Sequence, residues 1–170
     1  MYIKLLGILF FLFSNQLMSQ NTMKSEHILY NINIHGKDFP KNIQPLINKL
    51  SSFFKGNVNL DLSEESLNEI DNYMIENNIH FDEPMINEYM MCFIAYTGQV
   101  YIHTHGGEWE MCLHKDRETW APFIRTTNGK LFDLFIWIYD SLTEDEFSTI
   151  GNGYFAVTQN PFTGFLQPKR

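Results

Sequence analysis

From Pro84 to Trp109 the chain reads Pro-Met-Ile-Asn-Glu-Tyr-Met-Met-Cys-Phe-Ile-Ala-Tyr-Thr-Gly-Gln-Val-Tyr-Ile-His-Thr-His-Gly-Gly-Glu-Trp. Between Met85 and Ile102 apolar residues fall on nearly every side of a helix drawn through it, and a segment apolar all round is buried all round. The rest of the chain must therefore wrap this stretch. Ile86, Met90, Phe93, Thr97 and Val100 form one row at helical spacing, and Met85, Tyr89, Cys92 and Tyr96 a second. The spacing predicts a central helix ended by Gly106-Gly107. The competing pattern is a hairpin over residues 89–104 that turns at Thr97-Gly98, since Tyr, Phe, Ile and Val also favour strands.

Upstream, Ile28, Tyr30, Ile32 and Ile34 alternate with Leu29, Asn31 and Asn33, which predicts a strand over His27–His35 with Gly36 ending it. Leu46, Ile47, Leu50, Phe53 and Phe54 are spaced three and four apart, with Pro45 suited to the first helical position and Gly56 to the exit. Val58, Leu60 and Leu62 alternate as a short extended passage. Ser63 is placed to cap a helix whose buried stripe is Leu67, Ile70, Tyr73 and Met74, leaving Glu64, Glu65, Asn68 and Asp71 facing water. Asn77, Asn78 and Pro84 bound a loop.

Downstream the pattern is a meander. Trp109, Met111 and Leu113 alternate with Glu110, Cys112 and His114, and Trp120–Thr126 is a second extended run. Asn128-Gly129 is a strong hairpin turn signal, with Leu131 and Phe132 starting the return. Leu131, Leu134, Phe135 and Ile138 favour a helix leading to Leu142. Thr143-Glu144-Asp145-Glu146 matches a capping box, Tyr154–Thr158 reads as a last strand, and Asn160-Pro161 opens a tail. The expected fold is α+β, with the central apolar helix packed on a small antiparallel sheet in one domain, residues 21–170.

Residues 1–20 have the layout of a secretory signal peptide: one charge in Met1–Lys4, an apolar run Leu5–Phe13, then a polar end with small Ser19 before Gln20. The run is too short to cross roughly 30 Å of hydrocarbon as a helix. A retained N-terminal anchor, or a start at Met23, are the alternatives. Export to the periplasm or the medium is expected, with no stable membrane span once the signal is removed.

That leader holds one Lys and no acid, so its removal takes the net charge from −8 to −9. Such a balance disfavours nucleic acid as a partner, which needs a basic footprint, and suits a basic protein. With 15 Phe, 8 Tyr and 3 Trp there is ample material for a core, and the composition argues against disorder. Cys92 and Cys112 are a candidate disulfide in an oxidising compartment, or else two buried thiols.

The remaining chemistry is His103-x-His105, followed by Glu108, Glu110 and His114. On a strand two such histidines share a side and can chelate one ion with a carboxylate. His103, His105 and Glu110 resemble the metal motif of cupins, which implies a metal-dependent enzyme if this stretch is extended. Gly98 precedes His103 by one residue fewer than that family has. A broader stretch, Leu60–Leu142, with its capped helix, its apolar helix carrying Ala95-Tyr96-Thr97-Gly98-Gln99-Val100 and its Gly106-Gly107-x-Trp109 turn, resembles small bacterial domains of unknown function, some of them immunity-like. Gln99 stands where that pattern commonly has Glu. This resemblance implies a compact α+β domain that binds another macromolecule, with no catalytic residues to carry over. The expected function is therefore a non-enzymatic protein binder without cofactor, presenting its acidic surface with Trp109, Trp120 and Glu108 to a basic partner.

Overall fold

In the computed structural model, which describes residues 32–114, 116–143 and 149–159, the chain opens with a 3-10 helix, Gly36–Asn42. It continues through α1 (Ile43–Phe54), α2 (Glu65–Glu76), α3 (Glu83–His105), β1 (Glu108–Leu113), β2 (Trp120–Arg125), β3 (Leu131–Asp133), α4 (Phe135–Thr143) and α5 (Ile150–Gln159). The expected α+β architecture is what forms.

The apolar stretch is a single helix and not a hairpin. Asp82 caps α3 by accepting the Met85 backbone N–H at 3.0 Å, Pro84 lies in the first turn, and Gly106 leaves the helix at φ 74°. Every residue from Met90 to Gly98 is buried. Burial on all sides is met by α1 along one flank, α4 along another, and side chains of the sheet. Although 23 residues long, α3 is not apolar enough to cross a membrane, nor is any other described helix.

The sheet is antiparallel in the order β1-β2-β3, with Trp109 opposite Ile124 and Ile124 opposite Phe132. These three inward residues meet α3, Phe132 placing its ring 5.0 Å from that of Tyr101. Gly98 permits a close approach of sheet to helix. A Cβ there would overlap the Trp109 ring, so only glycine lets β1 press its indole onto the helix. The Asn128-Gly129 turn closes β2 onto β3, with Thr126 N–H donating to the Lys130 carbonyl at 2.8 Å.

Several expectations fail for identifiable reasons. Residues 27–31 of the expected first strand lie outside the described residues, and Asn33–His35 is not extended sheet. Ile34 is 84% exposed, and Asn33 reaches β2 through its side chain, donating from Nδ2 to the Trp120 carbonyl at 2.6 Å in place of a backbone ladder. Pro45 is the third residue of α1 rather than the first, still within the turn whose N–H groups lack helical partners. Residues 58–62 form no strand, because Leu62 adopts φ 65° and donates its N–H to the Tyr96 hydroxyl at 3.2 Å.

Ser63 does cap α2, its Oγ accepting the Ser66 N–H at 3.2 Å. Thr143 ends α4 instead of starting a helix, and Glu144–Glu146 of the expected capping box lie outside the described residues. The expected last strand Tyr154–Thr158 is helical, as part of α5. The tail from Asn160 also lies outside them.

Candidate functional site

His103 and His105 occupy the last turn of α3 and are both exposed. Two residues apart on a helix, they diverge by roughly 200°. His105 turns to α2, its Nε2 standing 3.2 Å from Glu64 Oε1, and its ring lies against Tyr101 and Tyr154. The pair suits both helix dipoles, a carboxylate at the start of α2 and an imidazole at the end of α3. Glu110 is on β1, ion-paired with Arg125. The three residues of the cupin-like motif are therefore not brought together, because the extended geometry that motif needs is replaced by helix. Among the described residues no three His, Cys, Asp or Glu side chains are grouped to hold a metal.

Cys92 and Cys112 are both free. Cys92 is buried within α3, whereas alternation along β1 sends Cys112 to the face opposite inward-facing Trp109 and Met111, away from the helix. Burial raises the Cys92 thiol to about 11, so it is an inert core group.

Of the three expected binding residues, Glu108 is exposed at the start of β1, an edge strand. Trp120 is half-buried beside Gly36. Trp109 is a packing residue: its ring lies on Gly98, meets Phe39 edge-on at 5.2 Å, and its Nε1 donates to Gln99 Oε1 at a long 3.5 Å. An indole gripped this way is not available to a partner.

Asp71 is the residue the sequence reading misplaced. It is 6% exposed rather than facing water, and its two oxygens accept the N–H groups of Ile150 at 2.9 Å and Gly151 at 2.7 Å. A helix begins with N–H groups that lack partners, and Asp71 supplies them for α5 from a different element. A Cβ at Gly151 would overlap Asn68 of α2, so glycine is what allows the two helices this close. Burial pushes the Asp71 carboxyl up to about 6, against the pull of those N–H groups. One signal was available. Leu67, Ile70, Asp71 and Met74 follow the spacing of a buried stripe, with Asp71 inside it.

A second missed signal is the distribution of charge. Between Lys55 and Lys115 there is no Lys or Arg, while eleven of the chain's 20 acidic residues lie there. On α2, Glu65, Glu69, Asn72 and Glu76 repeat at intervals of four, three and four, and all are exposed. Ile75, next to this stripe, is 66% exposed. Asp82 and Glu83 continue the negative surface at the start of α3. By contrast, Lys41 is held by Asp38 at 2.7 Å and Lys49 by Glu88 at 3.2 Å.

Compared with models of protein families, with curated proteins and with solved structures, the chain matches none of them.

Proposed function

We propose that the protein is an exported, non-enzymatic binding protein, immunity-like or an accessory of the cell envelope, that engages a basic partner protein. The observation that carries this reading is the α2 stripe. Glu65 and Glu69 face each other one turn apart, an arrangement that costs a helix roughly 0.2–0.5 kcal/mol. No Lys or Arg within 56–114 offsets it. A basic surface docked on this face relieves that repulsion, and exposed Ile75 offers an apolar anchor beside the charges. Trp120 and Glu108 belong to the sheet and extend the reading without carrying it. The signal-peptide layout of residues 1–20 supports export.

The test is chemical cross-linking in cell-envelope extracts of the source cell. The wild type is expected to capture a partner of pI above about 9. Glu65→Lys/Glu69→Lys/Glu76→Lys is expected to lose it, as is the wild type in about 1 M salt, where the Debye length falls to about 3 Å. Capture indifferent to both changes overturns the reading. Metal analysis of the purified, untagged protein separates it from enzymatic use of the histidines. Stoichiometric Zn, Mn or Fe that disappears in His103→Ala/His105→Ala would replace the binder with a metal-dependent enzyme. Sequencing of the envelope form is expected to start just after Ser19–Gln20; a chain starting at Met1 or Met23 in the cytoplasm refutes export.

A further inference from the structure

A groove of about 560 Å³ opens between the 3-10 helix, α1, the 60–62 loop and α3. That size is ordinary for a ligand-binding cleft. It is lined by Ile43 and Ile47 from α1, Leu60 and Leu62 from the loop and half-buried Gln99 from α3.

Two features make it more than a crease. The first is Gln99. Trp109 Nε1 can only donate, so the Gln99 oxygen must face it, and the Gln99 Nε2 group has no acceptor among the described residues and lies beside the groove. The second is the loop wall. Leu62 is held at φ 65°, a backbone region leucine rarely adopts, by the Tyr96 hydroxyl on its N–H. Asp61 is fixed next to it, with Oδ1 accepting the Ser63 N–H at 2.9 Å and Oδ2 the Asn59 side-chain N–H at 3.3 Å, and an ionised carboxylate keeps further lone pairs for a cation. Strain held in place by surrounding bonds is a recurring mark of binding loops. Here it sets an apolar wall and a carboxylate in one rigid arrangement before any ligand arrives. The other charge in the lining, Lys41, is already occupied by Asp38.

We propose that this groove is a peptide-binding cleft for an extended, apolar segment of the partner that carries an adjacent Lys or Arg. In it, Gln99 Nε2 donates to a backbone carbonyl, an apolar side chain fills the trough between Ile43 and Leu60, and Asp61 meets the cation. The inference rests on the reading of the protein as a binder of a basic partner, and names the part of that partner which enters. A peptide unit supplies the carbonyl that the free amide lacks, and charge complementarity selects the basic residue.

The experiment is titration of the ¹⁵N-labelled protein with acetyl-Leu-Lys-Leu-amide and acetyl-Leu-Glu-Leu-amide, followed by nuclear magnetic resonance. The Gln99 side-chain NH₂ pair is a direct reporter. Saturable shifts of that pair and of the Ile43, Ile47, Leu60 and Leu62 amides are expected with the lysine peptide, with about threefold weaker binding of the glutamate peptide. Gln99→Met, whose unchanged spectrum elsewhere verifies its fold, is expected to bind about fivefold more weakly. Leu60→Gln serves as a second variant on the opposite wall, with weakening also expected. Absence of saturable shifts at these residues, or equal binding by wild type and both variants, overturns the cleft. Shifts of the same residues on raising protein concentration alone would assign the groove to a second copy of this chain and overturn it too. Because the titration contains no partner protein, it is independent of the α2 stripe. Partner capture through the stripe and saturation of the groove by the lysine peptide are read in separate experiments, so either reading can fail without the other.

Discussion

Two residues decide more than their size suggests. Gly98 exists so that Trp109 can lie on α3, and Gly98→Ala is expected to destabilise the protein by about 1–3 kcal/mol through overpacking. The midpoint of urea unfolding measures this, and an unchanged midpoint would mean that the indole has room to withdraw. Asp71 is the other. Its carboxyl, raised by burial to about 6 from an ordinary 3.8, binds its proton more tightly in the folded chain than in the unfolded one. Its contribution to stability is therefore fully present at acid pH and lost as pH rises through 6. Between pH 3 and pH 7 the wild type is expected to lose up to about 3 kcal/mol relative to Asp71→Asn. Parallel stability curves for the two proteins would show that the Ile150 and Gly151 N–H groups and the α5 dipole offset the burial in full.

At the scale of elements, the helices are held by groups that lie outside them in sequence. The start of α5 is capped from α2, more than seventy residues away, and Gly153 of α5 is covered by the Trp137 ring of α4. Asp71→Ala is thus expected to release α5 before the remainder of the fold. Hydrogen exchange of the Ile150 and Gly151 amides reads this directly, and uniform loss of protection across α3 as well would mean that α5 is part of one cooperative unit. The cap of α3 is local, since Asp82 precedes Met85 by three residues. Asp82→Ala is expected to cost about 1 kcal/mol by thermal unfolding and to leave the structure otherwise intact.

For the whole molecule, charge is the organising asymmetry. A chain of net charge −8, with its acids concentrated where basic residues are missing, repels itself on one side. Added salt screens that repulsion, so the thermal midpoint is expected to rise between low and about 0.15 M ionic strength, by less in Glu65→Lys/Glu69→Lys/Glu76→Lys than in the wild type. Equal responses would place the repulsion elsewhere on the surface. The same asymmetry drives the proposed encounter with a basic partner, while the groove beside Gln99 acts at short range, where a peptide carbonyl and a side chain can be read.

What the sequence determined by itself is what short-range pattern encodes. The all-round apolar character of Met85–Ile102, the Asn128-Gly129 turn and the stripe of Leu46, Ile47 and Leu50 fixed α3, the β2–β3 hairpin and α1, because each property is satisfied within one element or one turn. Tertiary structure decided the rest. Asn33 and Ile34 belong to an alternating, strand-like pattern, yet Asn33 is tied to β2 by its side chain and Gly36 opens a 3-10 helix. His103 and His105 look like a chelating pair, yet they lie on a helix whose length is set by what surrounds it. Tyr154–Thr158 looks extended, yet Asp71 supplies the cap that makes it helical. Trp109 and Asp71 exchanged their expected places, the indole turning inward and the carboxylate becoming buried, because each meets a glycine, Gly98 or Gly151, that lets another backbone come close enough to cover it. Such closeness is a relation between distant segments, and no local spacing carries it.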